Sequence, residues 1–249
     1  MKILIIGGGL AGPVLALALK RAGYEVHIFD RVEAPHPASG EFEPGALGGG
    51  LTLMENGLRV FRRLGLLDSI VAAGTPVLSY DMLNILRCNI SRALFTALSK
   101  EGVQLQPNKK LVSITQPDPA AHTLGVTAVF SDGTQTSGDI LIAADGVHST
   151  VRSILFPDVR PVKTGFVGYL GVSEYDTDVT PAICPTSSLT FLTNNTAGKS
   201  AMIMPSAPRS VHWAMYETSP ADIAYDGWTS VTDVPGEAAR LSAMANYGA

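Results

Sequence analysis

Short aliphatic runs that stop at glycine or aspartate alternate with stretches of helical spacing at the start of the chain. Lys2–Ile6 is such a run and predicts a buried strand. Leu10–Ala22 follows with apolar positions at Ala11, Leu15, Ala18 and Ala22, a helical stripe. Glu25–Phe29 is β-rich again. The three segments predict a βαβ unit, its strands parallel neighbours joined by a right-handed crossover. Arg31–Gly50 is rich in Pro, Gly and Ala and reads as a long surface excursion. Glu55–Leu64 is helical, with Leu58, Phe61 and Leu64 repeating at three. Ile90, Ala93, Leu94, Ala97 and Leu98 form a second stripe, a helix starting near Asn89 with Asn89 or Ser91 as its cap.

Between Val103 and Ala143 the rhythm changes to period two. Lys110–Thr115, Thr123–Phe130 and Thr134–Ser137 predict strands, with Asp132-Gly133 as a hairpin turn. Asp139–Ala143 reads as another buried aliphatic strand, ending at Asp145-Gly146. Beyond Pro157, β-runs at Gly165–Ser173, Ser187–Thr193, Ser200–Pro205 and Ser210–Glu217 alternate with turn clusters, a separate mixed β region. Pro235–Ala245 predicts a final helix. No internal repeat or low-complexity tract is visible.

Composition narrows the class. The chain has 249 residues, 46% of them apolar and 16% charged, the balance of a globular protein with a core of its own. Twenty-two acids against 18 bases leave a net charge of −4, so no basic surplus marks a nucleic-acid or anionic-membrane surface. Two cysteines, Cys88 and Cys184, make neither a disulfide framework nor a thiolate metal site, and the cytoplasm is the expected compartment. Five histidines lack ligand spacing, so no metal is expected; His148 and His212 read as satisfied structural groups. The uncharged run Ile3–Leu19 has the look of a signal peptide, but three glycines and Pro13 interrupt it. No stretch is long enough to span a bilayer.

The same run has a chemical reading. Gly7-Gly8-Gly9-Leu10-Ala11-Gly12 fits G-x-G-x-x-G between a strand and a helix, the context that gives the pattern weight. Gly7 permits the turn, Gly9 lets a pyrophosphate approach, and Gly12 lets the helix pack on the strand. Bare N–H groups at the helix start then hold the diphosphate. Asp30 closes the next strand, 18 residues after Gly12, where a carboxylate accepts ribose hydroxyls. This motif names a dinucleotide without separating FAD from NAD. Arg87, just before the striped helix, is placed to reach phosphates or the flavin side of such a ligand. Asp139–Arg152 is a strand, a turn and a helix. The plain account, with Ser149 as cap, covers the turn but not the set Asp145, Gly146, Ser149 and Arg152.

Together these segments resemble the single-component FAD-dependent monooxygenases of the aromatic-hydroxylase type. Asp30-Arg31 resembles the family's acid–Arg pair. Gly48-Gly49-Gly50-Leu51 with Asn56-Gly57-Leu58 is similar to its "GAGI…PNAL" segment, which brings in Gly50. Leu86–Leu94 resembles its flavin-contacting Arg segment, and Asp145-Gly146 its DG motif, which serves FAD and NAD(P)H. The resemblance implies an α/β fold: a Rossmann-type FAD-binding domain with a parallel sheet over 1–156, carrying a β insertion at about 103–138, and a partial substrate-binding β domain over 157–249. It implies cofactor contacts from Gly7, Gly9, Gly12, Asp30, Arg31, Gly50, Arg87 and Asp145. It implies FAD as cofactor and NAD(P)H as co-substrate. Oxygen from O2 would hydroxylate or epoxidise a small, largely apolar organic molecule, as in secondary metabolism. No catalytic side chain is named, because the flavin carries the reaction.

Three features depart from the family. No Gly-Asp segment, its third flavin motif, is found before Ala249, so a C-terminally shortened chain is expected, either a fragment or one completed by a partner chain. Only 12 residues separate Gly74 from Arg87, where relatives carry a longer, strand-containing segment. Leu170 stands where many relatives carry an Arg. A non-catalytic relative, such as a ligand-binding module or accessory subunit, is therefore the second reading. An NAD-dependent dehydrogenase is the third; it accounts for the fingerprint but not for Arg87 or the Asp145 stretch.

Overall fold

The computed structural model of the protein describes residues 1–32, 49–77, 82–117, 125–177, 190–194, 198–207, 209–218 and 236. Strand β1 (Lys2–Ile6) runs through its centre. It pairs in parallel with β2 (Glu25–Phe29) on one side and β10 (Ile140–Ala143) on the other. The short strand β6 (Leu105–Gln106) extends the sheet beyond β2, giving the order β10-β1-β2-β6. Alternate residues of β1 serve two cores. Ile3 and Ile5 join Ile28 under a layer of helices. Leu4 and Ile6 join Phe29 on the opposite face, against a second sheet. A strand covered on both faces has no polar side, which is why its sequence is aliphatic throughout.

Helix α1 (Ala11–Arg21) connects β1 to β2, as the βαβ reading expects. Its buried face is another matter: Gly12, Pro13, Ala16 and Leu17 are buried, while Ala11, Ala18 and Ala22 are exposed. Alanine sits equally well on either face, so contact at Gly12, not the alanine spacing, orients the helix. Helices α2 (Glu55–Arg63), α3 (Leu67–Ala72) and α4 (Arg87–Lys100) complete the layer. Leu94 and Leu98 of the expected stripe are fully buried in α4. That helix begins at Arg87, two residues earlier than its stripe suggests, and no side chain caps it. Asn89 instead donates from Nδ2 to the Ala73 carbonyl, 3.0 Å away.

Three antiparallel sheets surround this unit. The first joins β3 (Gly50–Leu53), β4 (Gly74–Val77) and β5 (Met82–Leu86) in the order β3-β5-β4. The short Gly74–Arg87 segment thus holds two strands, neither marked by alternation in the sequence. The second, β7 (Leu111–Thr115), β8 (Val126–Phe130) and β9 (Gln135–Gly138), is inserted between β6 and β10 and covers the second core. Its β8–β9 turn is Asp132-Gly133, with Gly133 at φ +82°. Between β10 and the third sheet lies helix α5 (Thr150–Leu155). The third sheet runs β11-β14-β13-β12, from β11 (Phe166–Glu174), β12 (Thr190–Asn194), β13 (Lys199–Ala207) and β14 (Ser210–Thr218). Strand β13 also packs against β4 and β5.

Strand β10 differs from its expected burial. It is the sheet's edge, and Ile140 is 41% exposed. The run Ile3–Leu19 folds as β1 and most of α1. The excursion over 33–48, Cys184 and most of the helix expected at Pro235–Ala245 lie outside the described residues.

Phe29 joins the parallel sheet to the inserted one. It is fully buried, and its ring centroid lies 4.8 Å from that of Phe130. Phe29→Ala should cost about 3–5 kcal/mol of folding stability, read from the midpoint of urea unfolding; a loss below about 1 kcal/mol would mean that the second core is not cooperative with the first.

Candidate functional site

The turn after β1 is set by close approach. Gly7 has φ +118°, and its N–H donates to the Phe29 carbonyl at 2.7 Å. A Cβ on Gly7 would overlap the Ala144 carbonyl at the end of β10. A Cβ on Gly12 would overlap the Gly7 carbonyl oxygen, so the first turn of α1 lies directly on the turn. Helix α1 has neither a side-chain cap nor an acid in its first turn. Its leading N–H groups and positive dipole end are left for an external anion.

Around this turn lies a cavity of about 220 Å³ lined by Gly7, Gly9, Asp30, Arg31, Arg87 and Asp145, among others. Six of the eight residues expected to contact the cofactor thus meet in one place. Gly12 lies beneath, in the packing of α1. Gly50 lies apart from the cavity lining, against His212. Arg87 Nη2 stands 3.6 Å from where a Gly9 Cβ would be, so the guanidinium overhangs the middle glycine.

Both carboxylates of the cavity already have partners. Asp30 Oδ2 accepts the Gly8 N–H at 2.5 Å and Oδ1 the Val32 N–H at 2.8 Å. A carboxylate has about four acceptor sites, so two remain for hydroxyls. Asp145 is more occupied. Oδ1 accepts the Ser149 hydroxyl at 2.6 Å, and Oδ2 accepts the N–H groups of Thr150 and Val151 at 2.7 and 3.2 Å. Ser149 in turn caps Arg152 N–H at 2.9 Å, and Arg152 Nη2 donates to the Val147 carbonyl at 2.6 Å. Asp145, Ser149 and Arg152 of the set that the plain account left over are therefore engaged in holding the start of α5.

Lys109 and Lys110 also line the cavity and escaped the sequence reading. The Lys109 N–H donates to the Asp30 carbonyl at 2.7 Å, which fixes this basic pair beside the acid. Only the pairing of β6 with β2 brings them there; the adjacent lysines were the one available signal. Lys109 Nζ bonds Asp132 at 2.5 Å, and this ammonium, with Thr134, holds the Asp132 carboxyl down at about 2. His148 is exposed at the cavity rim, not satisfied in the interior.

His212 also departs from expectation. It is fully buried, and its Nδ1 accepts the Gly50 N–H at 2.7 Å. The proton of the neutral ring is then on Nε2, which has no hydrogen-bond partner among the described residues. Nearby on the small sheet, the fully buried Asn84 accepts from Thr52 Oγ1 at 2.8 Å, and its Nδ2 has no hydrogen-bond partner among the described residues.

These features match a known family. The sequence model described as "FAD binding domain" matches residues 1–226. The chain belongs to this family. The tight glycine turn, where a Cβ on Gly7 or Gly12 would strike backbone, the uncapped helix start and the overhanging Arg87 fit a dinucleotide diphosphate, and FAD is the family's cofactor. The chain is 27% identical over 262 residues to the FAD-dependent urate hydroxylase of Klebsiella oxytoca, covering 94% of this chain and 62% of that protein. It is 29% identical over 202 residues to the chloroplastic zeaxanthin epoxidase of an Oncidium hybrid cultivar, covering 70% of this chain and 29% of the epoxidase. The fold is that of Klebsiella pneumoniae HpxO complexed with FAD and uric acid, with a TM-score of 0.70 at 24% identity over 91% of this chain and 58% of HpxO. The chain thus spans less than two thirds of these relatives. Among the described residues no helix is long and apolar enough to cross a membrane.

Burial pushes the His212 imidazole down to about 4 from an ordinary 6.5. The unfolded chain then takes up a proton near 6.5 that the folded chain refuses until about 4, so stability should fall as pH drops through this window. Urea midpoints measured against pH check this, and His212→Asn should flatten the slope between those values. Parallel slopes in the two proteins would remove His212 from the account.

Proposed function

We propose that this chain is the FAD-binding part and a portion of the substrate-binding part of a monooxygenase. It would use NAD(P)H and O2 to hydroxylate or epoxidise a small, largely apolar organic molecule in secondary metabolism. The proposed division places FAD binding in 1–156 and a substrate-binding β region in 157–249. The observation that carries the reading is the convergence of Gly7, Gly9, Asp30, Arg31, Arg87 and Asp145 on one cavity at an uncapped helix start. The activities of the relatives, a hydroxylase and an epoxidase, support the reaction class.

Bound FAD supplies the redox chemistry, taking electrons from NAD(P)H and passing them to dioxygen. The chain's residues bind and orient it. The α1 N–H groups hold the diphosphate over Gly9. Asp30 accepts the ribose hydroxyls with its remaining lone pairs, and its charge disfavours a 2′-phosphate at that place. Arg87 neutralises the diphosphate or faces the flavin side. Arg31 flanks the ribose. Gly12 keeps the helix close, and Gly50, set against His212 and beside Leu86, would contribute from outside the cavity lining. Asp145 acts through its turn, presenting the Ala144–Gly146 backbone, because its carboxylate serves α5. The cytoplasm is the expected compartment, in keeping with the buried free thiol of Cys88.

A second reading, a non-catalytic relative, is favoured by Leu170, which pairs with Ala214 across β11 and β14. Single-chain oxidation of NAD(P)H in the presence of FAD and O2 decides between them. The purified chain should be yellow or take up added FAD. Arg87→Ala and Asp30→Ala should each weaken FAD binding about tenfold or more, the loss of one charge-assisted contact, measured by quenching of flavin fluorescence. A colourless chain that binds no added FAD would overturn the reading, and unchanged affinity in Asp30→Ala would misplace the ribose.

A further inference from the structure

His212 lies on β14, 162 residues from the glycine whose N–H it accepts. Its ring lies against the backbone at Gly49 and Gly50. A Cβ on Gly49 would overlap ring Cε1, and a Cβ on Gly50 would lie 2.7 Å from ring Cγ. Two adjacent glycines are thus needed to admit one imidazole. The Gly49 carbonyl, on the other side of the same peptide, accepts the N–H of Arg87 at 3.2 Å. Gly50 also pairs with Leu86, the residue that leads into α4. A continuous chain of hydrogen bonds therefore joins the buried imidazole to the first residue of α4. That residue's guanidinium overhangs Gly9 in the cavity. Among the described residues the ring has no second anchor, since Nε2 meets no hydrogen-bond partner there. On its own sheet, His212 is centred between Val172 of β11 and Met204 of β13.

We infer that His212 is a positioning residue: its imidazole locks the Gly49-Gly50 peptide, which sets Arg87 for the bound dinucleotide and ties the four-stranded sheet to the cofactor cavity. The inference rests on the reading of the Gly7–Gly12 cavity as the FAD site. It says more than that reading does, because His212 does not itself line that cavity. A shift of β14, such as a ligand on its sheet would cause, then reaches Arg87 through one peptide.

A double-mutant cycle with FAD tests it. His212→Leu keeps bulk and removes the acceptor, and it should weaken FAD binding up to about tenfold, the worth of one net hydrogen bond. His212→Asn places an acceptor near the Nδ1 position and should restore most of the affinity. In an Arg87→Ala background, His212→Leu should change affinity by less than about twofold, because the two act as a unit. Wild-type affinity in His212→Leu, or losses that multiply in the double variant, would overturn the inference while leaving the FAD reading intact. Amide hydrogen exchange supplies an arm independent of folding defects and of FAD. In the wild-type chain the Gly50 and Arg87 amides should open together, with equal protection. If wild type binds no FAD, the FAD reading falls by itself, and unequal protection of these two amides would sink the lock.

Discussion

The carbonyl of Gly7 occupies the space where a side chain on residue 12 would begin. Much of the rest follows from that closeness. Helix α1 can start only by resting its first turn on the strand–helix turn, so its uncapped N–H groups converge where β1 ends. The end of β10 closes on Gly7 from the other side, at Ala144. The strand–helix turn, the first turn of α1 and the end of β10, which is distant in sequence, thus approach with backbone alone between them. A ligand with a diphosphate can reach peptide N–H groups there without crossing a side-chain layer.

The parallel sheet makes this arrangement rigid. β1 is buried on both faces, and its alternate side chains enter two separate cores. Phe29, at the end of β2, packs on Phe130 of the inserted sheet, while the Phe29 carbonyl holds Gly7 N–H. The turn is therefore braced by the residue that also joins two sheets.

Charge at the site is arranged by backbone before any ligand arrives. Asp30 and Asp145 are each held by N–H or hydroxyl donors, so neither acid needs a cation to be settled. Arg31, Arg87 and Lys110 then line the cavity together with these acids, facing a site suited to an anion. The small sheet β3-β5-β4 connects this region to the four-stranded sheet, with Thr52 Oγ1 at 2.8 Å from Asn84 and 3.6 Å from Met204 Sδ. Its seam is polar and buried, the kind of contact that specifies one alignment of two sheets.

Local rules made much of this legible. The aliphatic run before the glycines, the next strand ending in Asp30, and the leucines of α4 all express short-range periodicity, so their elements were readable from spacing. The convergence of Arg87 and Asp145 on the fingerprint turn was readable too, but only through resemblance to a family. What spacing could not decide was anything set by long-range contact. Alanine tolerates both faces of a helix, so only the fit of Gly12 against Gly7 determined which side of α1 is buried. Strands β3, β4 and β5 are too short and too unevenly buried to show alternation, and they exist because they pair with one another. Asp145 and Ser149 are the right residues for a ligand or for a helix start, and only the folded turn committed them to the helix. His212 seemed an ordinary core histidine in sequence. Sheet-on-sheet packing set its ring on two glycines 162 residues away, a relation that no periodicity in a linear chain encodes.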